Sequence, residues 1–364
     1  MRRGDARGCY KGAARDCSLA ARGIPDEEGV VRVKGWRGVG VLAAAMVLGV
    51  GVQAAVAAQR WVKPGAVWRD TQGKVIEAHG GGILHYGHVW YWFGTDRNPK
   101  LDPSKRYVNC YSSRDLMHWK GRGHALVLAD PEHLGAHWVL ERPKVYYSPA
   151  THKFVMYMHL DDAHYQYAHV GVAVSDKVTG PYHFVESFRP LGLQSRDIGQ
   201  FVDDDGQAYL IFESRPSGGF YVARLSPDRL KVEKPAAAFL HIPLEGGALV
   251  HDHGRYYVLG SHLTGWKANP NVYATAKRLG GPWTTFKEIA PGSEDTYGSQ
   301  STFLLKVKGT KKTAVIFMGD EWRPRALWDS RYLWMPLQMK DGGMVLPKPE
   351  AWRIDAKTGV VSVK

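Results

Sequence analysis

Residues 244–266 read LEGGALVHDHGRYYVLGSHLTGW, with one carboxylate, Glu245, at the entrance to an apolar stretch from Ala248 to Val250. The chain then turns at Asp252-His253-Gly254 and returns as an aromatic-rich run from Tyr256 to Gly260. Two apolar runs around an Asp/Gly turn predict a β-hairpin. The phrase recurs as GGILHYGHVWYWFG (81–94), PKVYYSPATHKFVMYMH (143–159), IGQFVDDDGQAYLIFE (198–213) and TFLLKVKGTKKTAVIFMG (302–319). With the hairpin at 246–260 that makes five copies, their starts about 50 to 60 residues apart, a period at which repeats mean blades or solenoid turns. Most copies continue into a third strand: Val108–Trp119, Val170–Tyr182, Phe220–Leu225 and Val272–Trp283. No segment carries a long helical period, so the natural unit is a blade of antiparallel sheet and the fold class is all-β, a five-bladed β-propeller. A β-sandwich is the alternative, but it does not require Gly-Pro-aromatic turns at matching phases, as in Gly180-Pro181-Tyr182 and Gly281-Pro282-Trp283.

The amino-terminal region has a different character. Arg32, Lys34 and Arg37 precede an apolar run from Val39 to Val52, and Ala55-Val56-Ala57 follows. Basic region, hydrophobic region and small-residue site make a secretory signal pattern, with cleavage expected near Ala57/Ala58 and a secreted or periplasmic product. A membrane anchor is the competing reading, but the run is rich in Gly and Ala and weakly apolar. The basic region is unusually long, so translation is expected to begin near Val30 or Val31. The domain division is therefore a leader over 1–58 and one propeller over 59–364.

The leader holds nine Lys/Arg against five Asp/Glu, so its removal lowers the net charge from +13 to +9. The remaining basic residues are scattered, with only short clusters such as Lys308–Lys312, which argues for a solvated surface and against nucleic acid. Cys110 is the one cysteine left outside the leader, which excludes an internal disulfide and a Cys-based zinc site there. Thirteen Trp and eighteen Tyr are enough to fill the gaps between blades and also to present flat rings to a sugar.

In a propeller the innermost strands surround a channel, so residues at one end of those strands converge. That phase holds Glu77 and His79 in the first repeat, Glu141 in the second, Asp197 in the third, Glu245 in the fourth and Gln300 in the fifth. Each taken alone reads as a solvated loop residue or a strand-end cap. Together they bring several acids to one mouth, where crowding raises the pKa of one of them, and a raised acid is the proton donor that glycosidic bond cleavage needs.

The segments VLERPKV (139–145), VGVAVSDKVTGPY (170–182), LGLQSRDIGQFVDDDGQAYLIFE (191–213), LTGW (263–266) and GSQSTFLL (298–305) resemble the exo-β-1,3-galactanase branch of glycoside hydrolase family 43. The likeness runs from about His79 to Trp352. It implies an inverting glycosidase on a five-bladed propeller, with Glu245 as general acid, Asp197 as the residue that orients and tunes it, and Gln300 in the place of the base. It also implies Glu141, Tyr165, Thr264 and Trp266 as substrate-binding residues, Trp266 as a stacking platform. Most of the family has an Asp base in blade one; here, as in the branch, it is absent, and His79 and glycines stand in its place. The branch commonly has Glu after the Phe-Gly that ends the first hairpin, whereas this chain has Thr95, with Asp96 one position later as its substitute. Blade four reads Glu-Gly-Gly where Glu-Ala-Pro is usual, which loosens the backbone beside the acid.

The expected partner is β-1,3-linked galactan or a related plant polysaccharide, met by a monomer with no nucleic acid and no membrane contact after signal cleavage. No cofactor is required and no metal ligand set is assigned, although a cation in the central channel is compatible with such propellers. Two other readings stay open. One keeps the fold and changes the sugar to that of an arabinofuranosidase, xylosidase or β-galactosidase; the other is a propeller that binds glycan without cutting it.

Overall fold

The computed structural model describes residues 61–216 and 218–364, so the leader read over 1–58 lies outside the described residues. The first blade is β1 (His79–Tyr86), β2 (Val89–Thr95), β3 (Lys105–Ser113) and β4 (Lys120–Ala129). The second is β5 (Val139–Ser148), β6 (Lys153–Asp161), β7 (His169–Ser175) and β8 (His183–Phe188). The third is β9 (Ile198–Val202), β10 (Ala208–Ser214), β11 (Gly219–Leu225) and β12 (Val232–Phe239). The fourth is β13 (Leu244–Asp252), β14 (Arg255–His262), β15 (Asn271–Ala276) and β16 (Lys287–Glu288), and the fifth has three strands, β17 (Gln300–Lys308), β18 (Thr313–Glu321) and β19 (Arg331–Pro336). Each blade is an antiparallel sheet in sequence order. The first strands contact one another around a closed ring, β1 to β5 to β9 to β13 to β17 and back to β1. The fold is a five-bladed β-propeller.

The period-two alternation that marks the strands also fills the spaces between blades, because each sheet turns an apolar face to each neighbour. Five buried clusters result, one per junction. Phe93, Val108 and Cys110 meet Val145 and Met156 between blades one and two; Tyr146 and Tyr157 meet Ile198 and Phe212 between two and three; Ile211 and Phe220 meet Leu249 and Val258 between three and four; Ala248 and Leu259 meet Val315 and Phe317 between four and five. The fifth junction closes the ring. There Trp68 and Trp92 pack on Trp334 at 5.2 and 4.6 Å between ring centroids, and Val62 and Trp352 exchange backbone hydrogen bonds of 2.8 and 2.9 Å.

The turn in the fourth hairpin has positive φ at both central residues, His253 (47°) and Gly254 (70°), the backbone that matches the twist of the strands it joins. At the other end of the inner strands the pairing slips. Register shifts fall between His79 and Gly82, Glu141 and Lys144, Glu245 and Ala248, and Ser301 and Phe303. Three of these bulges carry a left-handed residue: Gly80 (φ 61°), Arg142 (φ 49°) and Gly246 (φ 64°). The extra residue releases the strand end from the alternation and turns its side chain toward the channel mouth.

Candidate active site

The first strand of each blade begins, and the second ends, at the same mouth of the ring. A cavity of about 240 Å³ opens there, lined on its floor by Glu141, Arg142, Asp197, Glu245 and Gln300 and on its walls by His79, Thr95, Arg97, Tyr165, Arg215, Trp266 and Trp322. Of the eight residues given site roles by the resemblance, six thus meet: Glu141, Tyr165, Asp197, Glu245, Trp266 and Gln300; of the two that share their phase in the first repeat, His79 lines the cavity and Glu77 does not.

Glu245 is 5% exposed. Burial and the neighbouring carboxylates of Asp197 and Glu213 push its pKa up to about 9, against the opposing pull of Arg142 and Arg215. Asp197 accepts from Arg142 Nε at 2.7 Å and from the backbone N–H of Gly246 at 2.9 Å, which fixes the peptide beside Glu245. A β-carbon on Gly246 would lie 2.7 Å from Ser301 O, and one on Gly247 would lie 2.4 Å from the Phe220 ring. The glycines beside the acid are therefore places of close approach, and the backbone there is packed rather than loosened.

Gln300 is the hub of the floor. Its Oε1 accepts from Arg142 Nη2 and from Trp322 Nε1 (2.8 Å), while Nε2 donates to Glu245 Oε1 (2.9 Å) and Ser261 Oγ (3.1 Å). Guanidinium and indole N–H groups only donate, so the orientation of the amide is dictated by its neighbours.

Glu141 faces this group from blade two. Arg97 Nη2 donates to its Oε1 at 2.7 Å, Tyr165 OH lies 3.4 Å from the same oxygen, and His159 Nδ1 is 3.6 Å from Oε2. Burial alone would raise the Glu141 carboxyl, but His159 and Arg97 outweigh it and hold it at about 2. His159 is likewise opposed by burial and overruled by Asp161 (2.9 Å) and Glu141, which raise it to about 9. Glu141 is thus a fixed anion beside fixed cations.

Two predicted residues lie elsewhere. Asp96 does not line the cavity: its Oδ2 accepts from Asn109 Nδ2 (2.8 Å) and His124 Nε2 (3.0 Å) inside blade one. Thr95 and Arg97, two positions apart, take the cavity side, so the shift by one residue sends Asp96 to the opposite face. Thr264 also stays out of the lining. Its hydroxyl donates to Lys267 O at 2.5 Å and accepts from Asn269 at 2.7 Å, shaping the loop that carries Gly265 and Trp266 to the rim. The sequence reading missed Arg97, Arg142, Arg215 and Trp322. Arg97, Arg215 and Trp322 follow the ends of β2, β10 and β18, as Tyr165 and Trp266 follow β6 and β14, so the shared phase of the second strands was the available signal.

Among the described residues two groups of side chains have ligand-type atoms close enough for a cation: Glu141, His159 and Asp197; and Asp203, Asp204 and His251. The first is already met by Arg97, Arg142 and Asp161, with His159 held protonated. In the second, Lys306 and Lys308 reach Asp204 at 3.4 and 2.6 Å. Each set thus includes carboxylates that already pair with cationic side chains.

Comparison with known proteins agrees with this geometry. The description "Glycosyl hydrolases family 43" matches residues 81–302. An exo-β-1,3-galactanase from Phanerochaete chrysosporium solved with galactose is 37% identical and covers 84% of this chain and 71% of its own, with a TM-score of 0.78. An exo-β-1,3-galactanase from Clostridium thermocellum is 34% identical over 84% of this chain and 68% of its own, TM-score 0.77. A family 43 β-1,3-galactosidase solved with galactodeoxynojirimycin is 34% identical over 78% of this chain and 98% of its own, TM-score 0.70. Among curated proteins no match is found. With its five closed blades, its acid-lined channel mouth and relatives of this identity over most of its length, the chain belongs to glycosyl hydrolase family 43, a family of glycosidases.

Proposed function

We propose that this protein is an exported, inverting exo-β-1,3-galactanase that releases galactose from β-1,3-galactan. The observation that carries the reading is Glu245, a buried carboxyl that keeps its proton at neutral pH at the floor of the cavity. The names of the similar structures, exo-β-1,3-galactanases and a β-1,3-galactosidase, support galactan as the polymer. Export rests on the basic and apolar pattern of residues 32–57.

In the proposed reaction the terminal sugar enters beside Glu141 and separates Gln300 from Glu245. Glu245 gives its proton to the glycosidic oxygen as the anomeric C–O bond breaks, and water adds to the anomeric carbon from the opposite face. One amide hydrogen of Gln300, freed from Glu245, holds that water through one lone pair while the other attacks. The proton lost by the water passes to solvent, from which Glu245 is reprotonated. Asp197 orients the acid through Gly246 and Arg142. Glu141 and Tyr165 receive sugar hydroxyls, and Trp266, on the rim, meets the next sugar.

A second reading, a different terminal sugar on the same scaffold, is favoured by Thr95 and by the Arg97–Glu141 pair, which replaces a free carboxylate with an ion pair. Incubating residues 59–364 with linear β-1,3-galactooligosaccharides and following products by proton NMR decides between them. Early α-galactose supports exo cleavage with inversion. No product from that substrate, with turnover of another chromogenic glycoside, selects the second reading; saturable binding without product from any selects a glycan-binding propeller.

A further inference from the structure

The acid does not stand alone. Asp197, Glu213 and Glu245 form a group of three carboxyls faced by two guanidiniums, Arg142 and Arg215. Glu213, next to last in β10, is 1% exposed and has one oxygen, Oε2, with no hydrogen-bond partner. Its backbone N–H donates to Asp197 O at 3.2 Å, which ties the two acids into one corner. Each guanidinium has one carboxylate at hydrogen-bond distance: Arg142 takes Asp197 (2.7 Å) and Arg215 takes Glu213 (2.6 Å). Arg215 reaches Glu245 only at 3.5 Å, beyond a hydrogen bond. Arg196, the other cation near Glu213, donates instead to Tyr165 O and Gln194. From β17 the neutral side chain of Gln300 reaches the Glu245 carboxyl, and from β14 the Ser261 hydroxyl accepts from the same Gln300 amide.

Buried Lys144 is pushed toward its neutral form and Asp320 pairs with His79 at 3.3 Å, so three carboxyls against two cations leave one that keeps its proton. Burial and Asp197 push Glu213 up as well, but Glu213 has a guanidinium at 2.6 Å and Glu245 has the same one only at 3.5 Å, so the proton falls to Glu245. Because Gln300 donates to Oε1 of Glu245, the proton belongs on Oε2. That oxygen is the one toward Arg215. Without a competing anion the guanidinium would close the gap and displace the proton.

We propose that Glu213 is a positioning residue for the proton donor: it captures Arg215, keeps that guanidinium off Glu245, and so holds the acid proton on Oε2. The inference rests on the reading of Glu245 as proton donor. Glu213 acts through Arg215 and Asp197 and does not touch the sugar. Two effects add when its charge is removed. A negative neighbour disappears, and Arg215 is released to pair with Glu245; both favour the ionised acid.

The test is a carbon-13 NMR titration of the side-chain carboxyls in the free, full-length mature protein, with the Glu245 signal assigned by its loss in E245Q. In E213Q its midpoint is expected to fall by about one pH unit or more, a tenfold smaller ratio of protonated to ionised acid at a given pH. In R215Q it is expected to rise. A midpoint unmoved in E213Q, or one that falls in R215Q, overturns the proposal, and R215Q serves alone should E213Q not fold. The alkaline limb of kcat/KM should follow the same order, whereas a purely structural Glu213 would lower activity at all pH values without moving it. Since the titration needs no substrate, absence of galactan cleavage would refute the functional reading and leave this result standing by itself.

Discussion

Nε2 of Gln300 donates to Oε1 of Glu245 over 2.9 Å, and the same nitrogen gives its second hydrogen to Ser261. Both amide hydrogens are in use, and the amide oxygen is capped by Arg142 and Trp322, which can only donate. The nitrogen has no lone pair free to take a proton from water. Q300A is expected to lower kcat by about 10² or more, within the range for loss of a group that handles the reacting proton or water. Q300E brings a genuine base but removes the donors and sets a second carboxyl beside Glu245, where the pair would share a proton. It is expected to do no better than Q300A. Turnover tenfold above Q300A would assign position 300 the part of a base.

Glu245 also links activity to stability. Its folded-state pKa of about 9 lies above its ordinary 4.5, so between those values the folded chain holds a proton the unfolded chain has lost. Stability then falls as pH rises through that window and levels off outside it. Glutamine at 245 has no such dependence. E245Q should melt with wild type at pH 4.5 and above it at pH 8, by on the order of a few kcal/mol, roughly 5 °C or more in Tm. Calorimetry at the two pH values checks this; an equal difference at both would show that burial does not hold the proton.

Arg97 and His159 hold Glu141 ionised, at about 2. R97A should raise KM about tenfold with kcat within about twofold, the loss of one charge-assisted contact. Without Arg97 the Glu141 carboxyl protonates at higher pH, so the rise of KM toward acid begins earlier. A fall in kcat at constant KM would place Arg97 in the chemical step instead.

Trp266 is 38% exposed and meets Trp322 edge-on, with ring centroids 5.4 Å apart and planes at 80°. A flat exposed face at the rim suits the sugar behind the scissile bond. W266A is expected to lower kcat/KM for β-1,3-galactotriose by roughly three- to tenfold, the magnitude of an aromatic contact, and to leave Tm in place. A large drop in Tm would make it a packing residue.

The blades were legible because strand period, turn residues and repeat length all pointed one way, and the His253-Gly254 turn needed only local chemistry. Glu141, Asp197, Glu245 and Gln300 were legible because they share a phase. Asp96 was misplaced by one residue, which in a strand is a whole face. Arg97 and Arg215 read as ordinary loop charges, since nothing in a polar turn says which partner across the channel a long side chain will reach. Arg142 hid for another reason: a bulky residue with φ of 49° breaks the alternation by which its direction would be read.

The bulges at the start of four inner strands bear on how such a molecule can change over generations. Side chains at Glu141, Arg142 and Glu245 stand at the register shifts, outside the alternation that packs one blade on the next. Selection on packing and selection on chemistry therefore act on different positions of the same strand. A lineage can exchange a reacting group at the mouth, or lose a base altogether, while the five inter-blade junctions keep their ancestral composition. The scaffold can thus acquire a new specificity by single steps, with each intermediate sequence still folding.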